Sequence, residues 1–191
     1  KELYLAEPSD DGGNPFGIQA IHDCIGPLSN EPPVVYGVDL AKSIDYTAVV
    51  GLDDEGNVAQ CERWNGTDWK TTIEKIAEII RDDDALVDST GVGDPVVEEL
   101  QRLCPRVEGF KFSATSKQQL MEGLAAAISQ RQVRFPDGWL KTELDIFEFM
   151  HTRTGVKYSA PVGSHDDGVC ALALAIRGKA QMINTFEYRV F

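Results

Sequence analysis

The stretch VVYGVDLAKSIDYTAVVGLDDEGNVAQCERW, residues 34–64, decides the fold that this sequence predicts. Its apolar runs at 34–40 and 46–53 have the length of buried strands, and the turn sequence DDEGN separates the second run from VAQCERW. Three successive strands joined by short connections predict a meander.

Helices and strands alternate after this meander. A helix is expected over residues 71–80, where Thr71 and Glu74 form a capping-box pattern and isoleucines recur at helical spacing. A buried strand at 85–89 leads to a second helix with Asp94 as its expected N-cap. The further elements expected are a strand at 107–113, a helix at about 116–130, a strand at 132–135, a helix from 139, a hairpin turning at 154–155 and a final helix after 164. This order predicts an α/β three-layer domain with a mixed central sheet and helices on both faces.

The composition of the chain excludes several classes of protein. The 191 residues, 42% of them hydrophobic, suffice for one domain with a core of its own. The four cysteines form no C-x-x-C pair, so neither a zinc site nor a disulfide framework is predicted. Because there is no apolar run of membrane-spanning length and no signal-peptide pattern, we expect a soluble intracellular protein without a membrane partner.

The net charge of −13 argues against a partner as anionic as nucleic acid, since such binding rests on Lys and Arg. The objection is met if the acidic residues bind divalent cations and the basic residues are grouped locally.

The first 33 residues differ from the rest of the chain. They are rich in Gly, Pro, Asp and Asn, they show no sustained periodicity, and the sequence begins without Met. We expect residues 1–33 to be a linker or an arm packed on the body, residues 34–191 to be the folded domain, and the whole to be a piece of a longer protein.

Acidic residues stand at the ends of three predicted elements. Asp39 ends the first strand, Asp88 ends the fourth, and Asp166 and Asp167 open the final helix. If the fourth strand returns parallel to the first, their carboxyl ends meet in one crevice, where open α/β sheets bind ligands. Carboxylates that crowd together either share protons or bind hard cations such as Mg²⁺ or Mn²⁺.

Three of the four acidic residues also have an ordinary structural explanation. Aspartate is common in turns after strands, which is sufficient for Asp39 and for Asp88 taken singly. Ser164 and Asp167 have capping-box spacing, and an anion in the first turn of a helix is favourable without any function. Asp166 has no such explanation, and this leaves the metal hypothesis open.

Four other polar residues are candidates for contacts with a substrate. Lys42 and the hairpin residues Arg153 and Lys157 are candidate DNA contacts, although solvated lysines and charged hairpin tips are common. His165 is a candidate for proton transfer, although a single histidine at a helix start is more often structural.

Three stretches together resemble a known family. GVDLAKSIDYTAVVGLD, ALVDSTGVGDPVVEEL and GSHDDGVCALALA, in this order and spacing, resemble the C-terminal nuclease domain of the large terminase subunit of tailed bacteriophages. The resemblance covers roughly residues 34–180, and its most specific part is the histidine and double aspartate before a helix of small residues.

This resemblance implies a ribonuclease H-like fold with a β-hairpin near the active site and a metal-dependent endonuclease that cuts concatemeric double-stranded DNA. Asp39, Asp88, Asp166 and Asp167 match the acidic residues of the family. Its other implied partners are an ATPase motor domain of the same protein, the portal and the small terminase subunit. It also implies a location in the host bacterial cytoplasm, transiently docked on the procapsid portal. No Walker motif is present, so the motor is not expected in this chain.

The implied mechanism is two-metal hydrolysis. Two cations about 4 Å apart flank the scissile phosphate, and the expected products carry 3′-hydroxyl and 5′-phosphate ends. Asp39 is the candidate bridging ligand because it ends the central strand.

Other interpretations of the function of this chain remain open. A resolvase or transposase core of the same fold differs only in substrate, and a docking module would carry the same carboxylates without catalysis. Actin-like and sugar-kinase ATPases share a similar first strand, but Ala41 and Lys42 stand where their phosphate-binding glycine turn is expected.

Overall fold

The computed structural model describes residues 13–41, 45–91 and 94–188. Its strands are β1 (Val35–Asp39), β2 (Thr47–Leu52), β3 (Val58–Trp64), β4 (Asp84–Asp88), β5 (Val107–Phe110), β6 (Glu148–Thr152) and β7 (Gly155–Ser159). Its helices are α1 (Ile18–Asp23), α2 (Trp69–Ile80), α3 (Asp94–Leu103), α4 (Ala114–Ser129), α5 (Trp139–Ile146) and α6 (Asp167–Tyr188). No helix among these described residues is long and apolar enough to span a membrane.

Five strands form one mixed sheet in the order β3-β2-β1-β4-β5. The first three strands pair antiparallel, whereas β4 lies parallel to β1 and β5 lies parallel to β4. The predicted meander and the parallel return of the fourth strand are therefore confirmed.

The central strand β1 sends alternate side chains into two cores. Val35 packs in a cluster with residues of α4, α5 and α6, whereas Tyr36 and Val38 pack in a second cluster with residues of α2 and α3. Both clusters are buried, so helices cover both faces of the sheet. The predicted three-layer α/β architecture is confirmed.

Gly37 is the point of closest approach between β1 and α6. A Cβ atom at Gly37 would lie 1.8 Å from the carbonyl oxygen of Ala171 and 2.5 Å from the nitrogen of Ala175. Only glycine on the strand and small residues on the helix allow this contact. The helix that follows the aspartate pair is thereby held against the strand that carries Asp39.

Two helix starts differ from the predictions. Asp68 caps α2 by accepting the Thr71 N–H at 2.9 Å, so the Thr71–Glu74 capping box is wrong and the helix begins earlier, at Trp69. The predicted N-cap Asp94 is the first residue of α3 itself. In α2 the cap lies three residues before the predicted one, and in α3 the predicted cap lies inside the helix.

The strand predicted at 132–135 is wrong. This segment forms only isolated bridges, between Ile25 and Phe135 and between Asn57 and Arg134, because the chain crosses its two neighbours without running along either. The strand predicted at 107–113 ends at Phe110. The predicted hairpin is confirmed as the antiparallel pair β6–β7, which forms a separate two-stranded sheet.

Residues 13–33 pack on the body of the domain. The Phe16 ring stacks on Phe147 with a centroid distance of 5.5 Å. The Asn14 side-chain amide donates to the carbonyl oxygens of Leu144 and Asp145 at 2.8 and 2.9 Å, near the end of α5. Residues 1–12 lie outside the described residues, and the assignment of 1–33 as an arm from an ATPase domain stays a prediction.

Candidate metal centre

Asp39 and Asp88 lie side by side at the carboxyl ends of β1 and β4. The parallel register pairs Val38 with Val87, so the next residue of each strand is an aspartate. Asp39 is 8% exposed and Asp88 is 2% exposed, so both carboxyl groups are buried. Burial, followed by the charge of Asp88, raises the pKa of Asp39 well above its usual range.

Asp166 and Asp167 bring two more carboxylates close to this pair. The charges of both raise the pKa of Asp39 further. Asp167 is 6% exposed, and burial, followed by the charge of Asp166, raises its own pKa to about 6. The backbone N–H of Tyr46 donates to Asp167 Oδ2 at 3.4 Å. The structure thus places the other three predicted aspartates close enough to Asp39 for their charges to act on it.

Glu143, on α5, caps the helix that carries Asp167. Its Oε2 atom accepts hydrogen bonds from the backbone N–H groups of Gly168 at 2.7 Å and Val169 at 3.3 Å. The predicted capping box of Ser164 and Asp167 is therefore wrong. The backbone nitrogen of Ser164, an exposed residue, bonds to Pro161, and the capping carboxylate comes from another helix.

Arg63, on β3, forms an ion pair with Glu143 and holds it in position. Its Nη1 atom lies 2.9 Å from Glu143 Oε1, and its guanidinium carbon lies 4.5 Å from the centroid of the Tyr46 ring and 4.7 Å from that of Trp139. Gly168 completes the arrangement, because a Cβ atom there would lie 2.3 Å from the Trp139 ring. Packing, charge and hydrogen bonds together set the start of α6.

Lys117, on α4, is a residue of the site that the sequence did not reveal. Its Nζ atom lies 3.6 Å from Asp166 Oδ2, and its side chain is only 26% exposed. Burial by itself lowers the pKa of Lys117, but its electrostatic interactions with Cys170, Asp166 and Asp39 outweigh burial and raise it. No local signal identifies this lysine, since α4 bears no acidic motif and its approach to Asp166 is purely tertiary.

The four carboxylates are suitable ligands for a hard divalent cation, because they supply negatively charged oxygen atoms and Mg²⁺ and Mn²⁺ prefer oxygen ligands. Across residues 13–41, 45–91 and 94–188, no three His, Cys, Asp or Glu side chains stand at metal-ligand spacing around one point. Asp166 pairs with Lys117, whose Nζ atom lies 3.6 Å from Asp166 Oδ2. A cation held by Asp166 would therefore compete with this ion pair.

Comparison with known proteins identifies the family. The sequence pattern of the terminase RNaseH-like domain matches residues 36–178, which is most of the chain. The chain belongs to this terminase family.

Solved structures of terminase nucleases resemble this terminase domain over most of its length. The large terminase nuclease from thermophilic phage G20c with bound magnesium is 27% identical, with a TM-score of 0.73 over 89% of this chain and 98% of that one. The Thermus phage P74-26 large terminase nuclease domain is 25% identical, with a TM-score of 0.68 over 83% of this chain and 92% of that one. The HK97 bacteriophage large terminase, 15% identical with a TM-score of 0.67, shares the fold over 86% of this chain and 43% of its own. No curated protein gives a significant match.

His165 lies beside the aspartates of the terminase domain. Its Nδ1 atom is 3.6 Å from Asp167 Oδ2 and 4.0 Å from Asp45 Oδ1, and its ring meets the Tyr46 ring edge-on at 4.9 Å. Within the described part of the chain, this buried Nδ1 atom has no hydrogen-bond partner. The histidine is thus adjacent to the carboxylate cluster, as the sequence suggested.

The candidate DNA contacts differ in their placement. Lys157 lies on β7 and lines a groove that also includes Lys117, whereas Arg153 lies in the exposed hairpin turn outside that lining. Lys42 falls outside the described residues, and its contact with a phosphate stays a prediction.

Proposed function

We propose that this terminase domain is a metal-dependent endonuclease that cuts concatemeric double-stranded DNA during viral genome packaging. The observation that carries the proposal is the buried Asp39–Asp88 pair at the ends of two adjacent parallel strands, flanked by Asp166 and Asp167. Buried carboxylates repel one another in the absence of a counter-ion, and a divalent cation would remove that repulsion.

The cofactor is Mg²⁺ or Mn²⁺, with two ions in the working site. In this proposal Asp39, Asp88, Asp166 and Asp167 would hold the ions. When bound, such ions activate a water molecule and stabilise the leaving 3′ oxygen, giving 3′-hydroxyl and 5′-phosphate ends. The magnesium-bound nuclease of phage G20c, a relative at 27% identity, supports the choice of ion.

The residues around the carboxylates have separate roles in this proposal. Glu143 and Arg63 hold the first turn of α6 and so orient Asp167. Lys117, whose Nζ atom lies 3.6 Å from Asp166 Oδ2, would contact the phosphate. His165 moves a proton at the edge of the site, where its Nδ1 atom faces Asp167 at 3.6 Å.

The acidic charge of the chain agrees with this function. With a net charge of −13, the domain binds DNA weakly unless divalent cations neutralise the cluster. Weak binding suits a nuclease that must not cut the genome while it is being packaged.

The biological setting follows from the family. In this proposal the domain works with an ATPase motor domain of the same protein, the portal and the small terminase subunit. It acts in the host bacterial cytoplasm, transiently docked on the procapsid portal. The family match over residues 36–178 favours this function over a resolvase or transposase core and over a non-catalytic docking module.

Plasmid cutting tests the proposal. Supercoiled plasmid is incubated with the domain in Mg²⁺, Mn²⁺ or EDTA, and nicked and linear products are expected with the metals alone. Asp39→Ala and Asp88→Ala should abolish cutting. Asp84→Ala is the matched control, because Asp84 lies at the other end of β4, where it pairs with Arg106 at 2.6 Å. Unchanged cutting by the Asp39 and Asp88 variants would overturn the catalytic assignment.

A further inference from the structure

A groove of about 590 Å³ opens between the start of α4 and the β6–β7 hairpin. Its lining combines hydroxyl groups with two lysines, Lys117 and Lys157, and includes no aspartate or glutamate. The whole chain carries 31 acidic residues against 18 basic ones. A lining without carboxylates is therefore a local exception on an acidic protein, and it favours an anionic ligand.

The inner end of the groove meets the carboxylate cluster. Lys117 lines the groove, and its Nζ atom lies 3.6 Å from Asp166 Oδ2. Phe112, also in the lining, donates its backbone N–H to Thr90 Oγ1 at 2.7 Å, and the Thr90 N–H donates to Asp88 Oδ1 at 2.7 Å. A polyanion bound along the groove would thus extend to the candidate metal centre.

The two walls of the groove offer different donors. One wall is the first turn of α4, where Thr115 adds a hydroxyl group and the positive end of the helix dipole favours negative charge. The opposite wall is the hairpin, which contributes Thr154 and the exposed Lys157. Hydroxyl groups, lysines and a helix start are the groups that proteins use to hold nucleic-acid phosphates.

We propose that this groove binds the sugar–phosphate backbone of one DNA strand immediately beside the phosphate that is cut. The proposal rests on the proposed nuclease function and adds where the substrate lies. The ligand is the backbone, because lysines and hydroxyl groups contact phosphates, and such contacts carry no sequence information. The groove has a helix wall and a hairpin wall, so the bound strand lies between α4 and the hairpin.

Adding a negative charge to the helix wall tests the proposal. Thr115→Glu places an anion in the first turn of α4, where the helix dipole favours it, so thermal stability should stay equal or rise. Affinity for a fluorescein-labelled duplex, measured by anisotropy in Ca²⁺, should fall about tenfold. Ser129→Glu, at the exposed far end of the same helix, is the matched control and should keep wild-type affinity.

Removing the charge on the hairpin wall is an independent test. Lys157→Gln should reduce the slope of log affinity against log salt by about 0.7 to 0.9, the value for one lost phosphate contact. Lys70→Gln, on α2, is the control because that side chain is 81% exposed and lies outside the groove. Its salt slope should equal that of the wild type.

The outcomes separate this proposal from the nuclease function. If both Thr115→Glu and Lys157→Gln keep the wild-type affinity and salt slope, the proposed binding of DNA in the groove is overturned, even if plasmid cutting persists. A change in Lys157→Gln alone would also overturn it, because DNA would then touch the hairpin without entering the groove. Loss of affinity in both variants supports the groove even if the wild type fails to cut plasmid, a failure that would count against the nuclease function alone.

Discussion

The carboxylate of Glu143 lies 2.7 Å from the backbone nitrogen of Gly168, so a residue of α5 sets the position at which α6 begins. The pair is buried, and Arg63 holds the second oxygen of the same carboxylate at 2.9 Å. Because Asp167 is the residue before Gly168, the placement of this proposed metal ligand depends on a residue of another helix. The positioning of α6 is therefore open to test by mutation.

Glu143→Ala is expected to destabilise the domain by about 3 kcal/mol, because it leaves Arg63 without its partner and the start of α6 without a cap. Glu143→Gln retains an acceptor for the helix and should cost less. Urea unfolding measures both, with the exposed Glu148→Ala as control. Manganese affinity, measured by calorimetry, should also fall in Glu143→Ala. A variant with wild-type stability and wild-type metal affinity would show that the cap is dispensable.

Gly37→Ala is expected to destabilise the domain by about 3 kcal/mol or more, because the added methyl group overlaps the backbone of α6 at Ala171. Gly123→Ala serves as the control, since Gly123 lies within α4 with open space around it. That change should stabilise the domain by about 0.5 to 1 kcal/mol. Thermal unfolding compares the two. Equal effects would mean that the strand and helix are not in the contact described.

Asp39→Asn is expected to raise the melting temperature of the metal-free domain while abolishing cutting. The folded pKa of Asp39 lies above its unfolded value of 3.8, so the folded state holds the extra proton between these values. Wild-type stability therefore falls as pH rises through that window, and the variant has no such loss. The advantage of the variant should be large at about pH 8 and small at about pH 4. A variant that is less stable at both values would contradict this account.

Asp53, at the turn between β2 and β3, contributes to stability with a pH dependence opposite to that of Asp39. Burial opposes its charge, but hydrogen bonds from Ser29, Asn57 and Glu55 outweigh burial and lower its pKa. Its contribution to stability is therefore complete above the unfolded value of 3.8 and is lost as pH falls through the lowered folded value. Asp53→Asn should cost about 1 to 2 kcal/mol at neutral pH and much less near pH 3. Thermal melts across pH measure this, and a constant difference would refute it.

Binding of DNA by the metal-free domain should be weak and strongly dependent on salt. The net charge of −13 opposes the approach of phosphates, and only a few basic residues stand near the aspartates. Anisotropy with a labelled duplex in EDTA, and then with added Mn²⁺, is the measurement. Affinity should increase when Mn²⁺ is added. Tight binding in EDTA that does not change with salt would contradict the proposed role of the cations.

Sequence reasoning succeeded where the determining interactions are local or follow from topology. Asp39 and Asp88 end apolar runs that could only be buried strands, and the handedness of the crossover places β4 beside β1.

Sequence reasoning failed where distant residues meet. Ser164 and Asp167 have the spacing of a capping box, but the cap is Glu143, a residue on another helix whose approach no spacing rule describes. Lys117 reaches Asp166 from α4 in the same way. The segment 132–135 reads as a strand because its side chains alternate, yet it touches two neighbours at single points. In each case the missing information is which surfaces pack together.

The contact between Gly37 and Ala171 joins parts of the chain that are 134 positions apart. During synthesis, Asp39 and Asp88 leave the ribosome long before α6, and the strand face at Gly37 has no cover until that helix docks. Contacts of such long range form late in folding. A nascent terminase domain therefore carries Asp39 and Asp88 before Asp166 and Asp167 have joined them, and the complete carboxylate cluster exists only once α6 has docked.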